Sequence, residues 1–183
     1  MFPGNDVAQI GTPSGRPAPW ELLDDGWERH RVDLLIIGCG NLLRGDDAAG
    51  CVFIRRLWDR WEPPPSIRLL DAGTSGMDVA FQMRDADRVI LVDASATGAE
   101  AGTITHLPAA EVETLPPPSG LASHDYRWDH ALAFARWLLG PHLPREIEVY
   151  LIEGGSFDFD RPLSPPVSAA VDWLADHFLD RMA

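Results

Sequence analysis

Short all-apolar runs alternate along the chain with segments whose apolar residues recur every three or four positions. The first kind of segment is the signature of a strand buried on both faces of a sheet, the second of an amphipathic helix. Residues 33–38, with Leu34-Leu35-Ile36-Ile37 at their centre, predict a first strand. Residues 46–61 predict a helix carrying Ile54, Trp58 and Trp61 on one face, which Pro63-Pro64-Pro65 stops. There follow a predicted strand over 67–70, a helix near 75–84, a strand over 89–93, an edge strand around 102–107, a helix over 125–139 and a strand over 148–153. The helix over 125–139 would bury Trp128, Leu132, Ala135 and Leu139. Ser164-Pro165-Pro166 opens a last helix whose Val167, Val171, Leu174 and Phe178 make one apolar face. Such alternation predicts an α/β fold, a single-domain three-layer α/β/α sandwich around a mostly parallel twisted sheet.

Residues 1–19 are rich in Gly and Pro and show no periodicity, and residues 20–30 suit a short helix. Residues 1–30 are therefore expected to be an N-terminal extension, peripheral or partly disordered, and residues 31–183 the α/β domain. With 183 residues, 45% of them apolar, the domain can bury a core without a disulfide or zinc staple. Its 28 acidic and 15 basic side chains leave a net charge of -13. That charge, with no basic run, argues against nucleic acid and anionic lipid as partners. No stretch has the length of a membrane span or the pattern of a secretion signal, so the expected location is cytoplasmic. Cys39 and Cys51 fit no zinc or redox spacing and are expected to be reduced, packed thiols.

In sheets of this class, ligands bind beyond the carboxyl ends of the strands, where strand order reverses. Three such loops carry chemistry. The first, Gly38-Cys39-Gly40-Asn41-Leu42-Leu43-Arg44-Gly45-Asp46-Asp47, only superficially resembles a dinucleotide loop, because Leu43 stands where a third Gly or Ala belongs. Asp46 and Asp47 at the helix start would repel a phosphate and suit a cation, although capping of the helix would by itself account for one of them. The second is Asp93, a carboxylate ending a buried strand, which is costly there unless paired, hydrogen-bonded or metal-bound; a plain turn-forming Asp is the competing reading. Asp71 ends the preceding strand in the same way and reads as support for the turn that follows. The third is Ser123-His124-Asp125, where a Pro-rich loop meets a helix. A lone His there is more often structural than a ligand. His130 lies about 240° further round that helix and cannot share an ion with it. Neither a His-Glu-x-x-His zinc pair nor a Gly-x-Ser-x-Gly elbow occurs. Two carboxylates and one imidazole, if they converge, would make an open three-ligand site suited to nickel, zinc, manganese or cadmium.

Residues 38–47, Asp-Ala-Gly-Thr-Ser-Gly-Met over 71–77, Val-Asp-Ala over 92–94 and the lone His124 together resemble the [NiFe]-hydrogenase maturation endopeptidases, in the right order over roughly residues 33–175. The resemblance implies an α/β/α fold and a peptidase that removes the C-terminal extension from the nickel-loaded precursor of the hydrogenase large subunit. It implies Asp47, Asp93 and His124 as metal ligands and catalytic residues. How water is activated stays open between polarisation by the metal and a nearby carboxylate such as Asp46 acting as general base. Many relatives carry Glu at the first of these positions, so Asp47 is one methylene shorter. The implied metal is nickel supplied by the precursor, for which zinc or cadmium can substitute in vitro, with no organic cofactor. The implied partner is the large-subunit precursor, and since a transient complex with it needs no oligomer, the free protein is expected to be monomeric. Two rival readings keep the fold. One is a non-proteolytic nickel carrier or docking protein, the other a phosphate- or nucleotide-dependent transferase using the Gly38–Asn41 turn.

Overall fold

The computed structural model describes residues 31–114 and 128–182. The extension over 1–30, its expected helix, the Pro-rich loop and His124 lie outside the described residues. The all-apolar runs become β1 (Val32–Cys39), β2 (Ile67–Gly73), β3 (Ala86–Ser95) and β5 (Glu146–Glu153), and β4 (Ile104–Leu107) is the short edge strand. The sheet order is β2-β1-β3-β5-β4. All neighbours are parallel except β4, which runs antiparallel to β5. The helices are α1 (Ala49–Trp58), α2 (Gly76–Met83), α3 (Ala109–Thr114), α4 (Trp128–Leu139) and α5 (Pro165–Met182).

The period-two geometry of strands splits the core into two layers. Leu35, Ile37, Leu91 and Val149 face one side with Val79, Met83, Val112, Leu132 and Leu139, so α2, α3 and α4 cover that face. Ile36, Ile90, Val92 and Ile152 face the other with Phe53, Ile54, Leu57, Leu174 and Phe178, so α1 and α5 cover it. Because each strand is sandwiched, its sequence is apolar throughout rather than alternating. The expected three-layer sandwich is what forms.

Several boundaries differ from the sequence reading. Residues 46–61 do not make one helix: a 3-10 turn over Gly45–Ala48 precedes α1, which ends at Trp58. The buried stripe of α1 is Phe53, Ile54 and Leu57, whereas Trp58 is 48% exposed. Trp58 fitted the helical spacing only because a large apolar residue at i+4 cannot be told, in one dimension, from a core residue. Helix α3 was not anticipated. It is 6 residues long and places Val112 in the core, too little for a periodic signal.

The chain leaves β1 toward β2 on one side and returns to place β3 on the other. A crevice therefore opens at the carboxyl ends of β1 and β3, the point where strand order reverses. Two glycines let α1 enter it. A Cβ on Gly50 would lie 2.2 Å from the Val92 carbonyl oxygen and 2.4 Å from that of Cys39, and a Cβ on Gly38 would lie 2.0 Å from the Gly50 carbonyl oxygen. Only residues without a side chain permit this approach, and it seats the start of α1 on the ends of both strands.

Candidate active site

The 3-10 turn that carries Asp46 and Asp47 packs against β3. Its two carboxylates part company there. Asp46 is fully buried. One of its oxygens accepts the Ser164 N–H at 2.6 Å, and the other accepts the N–H groups of Gly155 at 2.8 Å and Ser156 at 3.0 Å and the Ser164 hydroxyl at 2.9 Å. The backbone adds another tie, since the Asp46 N–H donates to the Ser156 carbonyl at 2.9 Å. Burial pushes the Asp46 pKa up, but the donors from Ser164, Ser156 and Gly155 outweigh it and hold the carboxyl below its ordinary 3.8. Its geometry is that of a mooring: it binds the loop after β5, and the start of α5, to the loop after β1.

Asp47, next in the chain, is only half-buried. Its N–H donates to the Arg44 carbonyl at 3.1 Å and its own carbonyl accepts the Asn41 N–H at 3.2 Å. Gly40, at φ +133, lies so close that a Cβ there would approach the Asp47 carbonyl oxygen to 1.8 Å. The backbone of Asp47 is thus held from both sides.

Asp93 sits near the end of β3 and is 7% exposed. One of its oxygens accepts the N–H of Ala94 at 2.8 Å. Neighbouring Ser95 donates its hydroxyl to Glu153 at 2.7 Å. Glu153 ends β5 as Asp93 nearly ends β3, and it also accepts the Thr97 hydroxyl at 3.0 Å and the N–H groups of Gly98 at 2.6 Å and Ala99 at 3.2 Å. Burial raises its pKa, and these donors more than compensate, leaving it lowered from 4.5. Glu153 thus fastens the loop after β3 as Asp46 fastens the loop after β5. The sequence reading did not single it out, although a carboxylate closing an apolar strand and followed by Gly154-Gly155-Ser156 was the same signal that drew attention to Asp93.

The remaining groups are supports. Asp71 accepts from Arg55 Nε at 3.0 Å and from the Gly73 N–H at 3.3 Å, so it braces the turn after β2, the role its sequence context suggested. Cys39 and Cys51 are free and buried. Burial first, and then the charges of Asp93 and Asp71, push the Cys39 thiol well above its ordinary value; burial and Asp71 do the same to Cys51. The Cys51 thiol lies 3.4 Å from the Gly40 carbonyl oxygen, to which it donates. Both should therefore be poor nucleophiles. Native protein treated with iodoacetamide at pH 8 is expected to label about a hundredfold more slowly than unfolded protein, measured by mass. Labelling at equal rates would show that the thiols are reached.

The loop after β1 is not a phosphate cradle. Its Gly40 N–H donates to the Gly73 carbonyl at 2.9 Å, and those of Asn41 and Arg44 go to the carbonyls of Asp47 and Asn41. The Leu43 N–H goes to the Asn41 side chain at 3.0 Å. A nucleotide loop needs such groups turned outward and unpaired.

The structure thus brings the Asp47 turn to the β3 end that carries Asp93, while Asp46 turns inward. Among the described residues, no three His, Cys, Asp or Glu side chains form a group that could hold a metal ion. The profile of the hydrogenase maturation protease family matches residues 51–181. The chain belongs to this family. A putative hydrogenase maturation protease of Methanocaldococcus jannaschii is 34% identical over 150 residues, covering 78% of this chain and 91% of the relative. The hydrogenase maturating endopeptidase HybD of E. coli superposes with a TM-score of 0.69 at 25% identity, covering 82% of this chain and 91% of that one. A [NiFe] hydrogenase maturation protease, HycI, from Thermococcus kodakarensis shares the fold, with a TM-score of 0.66 at 21% identity over 82% of this chain and 92% of that one. The protein is accordingly a peptidase of hydrogenase maturation, and its sheet is the scaffold common to these enzymes. No helix among the described residues is long and apolar enough to cross a membrane.

Proposed function

We propose that this maturation protease removes the C-terminal extension of the nickel-loaded [NiFe]-hydrogenase large-subunit precursor, and that the nickel, part of the substrate, is recognised through Asp47, Asp93 and His124. The observation that carries the reading is the placement of the Asp47 turn against the end of β3 that bears Asp93, at the point of strand-order reversal, in a chain of this family. His124, outside the described residues, would complete the set. Three protein ligands would leave the metal's other positions to the precursor's own groups, so that a precursor without nickel would lack its anchor.

The protein's share of the chemistry is to orient and to polarise. Anchoring the metal fixes the neighbouring peptide relative to the crevice, replacing a search in solution by a held geometry. Held by Asp47, Asp93 and His124, the precursor's metal would supply Lewis-acid polarisation of the carbonyl or of the attacking water. Asp46 is not assigned to proton transfer: taking a proton would cost it the donors that surround it. Its part is to keep Asp47 in position.

Purified protein mixed with nickel-loaded precursor is expected to shorten it by the mass of the extension, while nickel-free precursor keeps its full mass. Equal cleavage of both would remove nickel recognition from the reading. Unchanged mass with both would leave the carrier reading in its place.

A further inference from the structure

Eight large apolar side chains are exposed among the described residues, and Leu42, Leu43 and Phe159 are the ones built onto the two loops moored by Asp46. Leu43 is 65% exposed and Phe159 66%, on loops leaving β1 and β5 at the crevice end of the sheet. They are not loose. The Asp160 N–H donates to the Leu43 carbonyl at 2.9 Å, stitching the two loops together directly beside both side chains. Arg44 donates from Nε to the Phe157 carbonyl at 3.1 Å and places its guanidinium 5.9 Å from the centre of the Phe159 ring. Asp160 itself takes φ +55, the left-handed region that a residue with a side chain rarely adopts, immediately after Phe159. Two large apolar groups held outward by this much local order lose little entropy when covered, which is what a docking surface needs.

Resting on the peptidase reading above, we infer that Leu42, Leu43 and Phe159 form the ridge on which the large-subunit precursor docks, through an apolar stretch of the precursor flanking the bond to be cut. Continuity with the candidate site carries the choice of occupant. Leu43 and Arg44 lead directly into the turn of Asp46 and Asp47, and the Arg44 carbonyl accepts the Asp47 N–H at 3.1 Å. A chain seated on the ridge is therefore beside the candidate metal ligand. An apolar seat also suits a protein of net charge -13, because the surface surrounding the ligands cannot rely on carboxylates to hold a peptide and still reserve them for a cation. The four other exposed aromatics among the described residues lie on helices and not on the moored loops: Trp58 at the end of α1, Phe81 on α2, Trp137 on α4, stacked on Phe134, and Trp173 on α5, stacked on His177.

The test measures two quantities on the full chain, namely equilibrium binding of fluorescently labelled nickel-loaded precursor and the mass of that precursor over time. The double variant Leu43→Ala/Phe159→Ala is expected to bind about tenfold or more weakly and to show a matching rise in KM, with kcat at saturating precursor within about twofold of wild type. Trp173→Ala is the control and is expected to bind as wild type does. Thermal unfolding of both variants near the wild-type midpoint shows that the fold is retained. Unchanged affinity in the double variant, or an equal loss in Trp173→Ala, overturns the docking ridge. Precursor that binds with the expected dependence on the ridge but keeps its full mass overturns the proposed processing of the nickel-loaded precursor and leaves the ridge standing.

Discussion

Asp93→Asn protein should fold as wild type does and leave nickel-loaded precursor essentially uncut, with a rate loss of about a thousandfold or more. The substitution is chosen because it separates shape from charge. Asparagine retains an oxygen to accept the Ala94 N–H that now donates to Asp93 at 2.8 Å, so the end of β3 keeps its local bond. What disappears is the negative charge that a metal ligand provides. A far-ultraviolet dichroism spectrum and a thermal midpoint like those of wild type, combined with unprocessed precursor in a mass spectrum, is the expected pair of results. His124→Ala is expected to lose processing to a similar extent. Cleavage by Asp93→Asn within a few-fold of wild type would dissociate Asp93 from the metal and reduce it to a residue that shapes the turn after β3.

Asp46→Ala is expected to fail for a different reason, through the fold around the site. Its carboxylate is fully buried and receives donors from Gly155, Ser156 and Ser164. Truncation would leave these donors without their acceptor, at a cost of about 3 kcal/mol, or roughly 6–12 °C in thermal midpoint for a domain of this size. Asp46→Asn should recover only part of this, because its one oxygen can take the place of Oδ2 but its amide N–H₂ would then face the Ser164 N–H where an acceptor is required. Processing should fall along with stability, because the loop that presents Asp47 loses its mooring to the loop after β5. The pH dependence discriminates this role from proton transfer. The folded-state pKa of Asp46 is lowered, so its contribution to stability is complete above its unfolded-state pKa, close to the ordinary 3.8, and is lost as pH falls through the folded value. Glu153 contributes with the same sign, its pKa being lowered from 4.5. The wild-type midpoint should therefore drop in acid, and Asp46→Asn should show a flatter acid limb in a series of melts. If Asp46→Ala melts with wild type and only activity is lost, Asp46 acts in chemistry rather than as a tether.

The two adjacent aspartates show where one-dimensional reading stops. Both stand at the start of a predicted helix, and either could cap it, bind a cation or move a proton. Neighbouring positions on a 3-10 turn point about 120° apart, so the two side chains cannot share one environment, but their order in the chain does not say which is buried. The choice depends on what lies across from them. The loop of Gly155, Ser156 and Ser164 is more than 100 residues away in sequence and presents its N–H groups to Asp46. Glu153 differs only in that its strand-end position marks it in the sequence as it marks Asp93; its role as a fastener depends on remote partners, Ser95 at the end of β3 and Thr97, Gly98 and Ala99 in the loop that follows. In α1, by contrast, the periodic signal was present and was misassigned: Trp58 was placed on the buried face that Phe53, Ile54 and Leu57 form.

The order of buried strands and amphipathic helices, the sandwiched parallel sheet and the apolar face of α5 were determined by the sequence itself. Burial on both sides writes apolar residues at every position of a strand, and burial on one side writes them every third or fourth position of a helix. The family followed from the loop motifs, because residues 38–47, 71–77 and 92–94 carry their pattern locally. Only the tertiary structure decided that β1 and β3 are neighbours, that Gly38 and Gly50 let α1 enter between their ends, and that Asp46 holds a loop while Asp47 remains half-exposed. Those outcomes rest on hydrogen bonds and close contacts between segments remote in the chain, where the role of a carboxylate is set by the donors that folding brings to it and not by its neighbours in sequence.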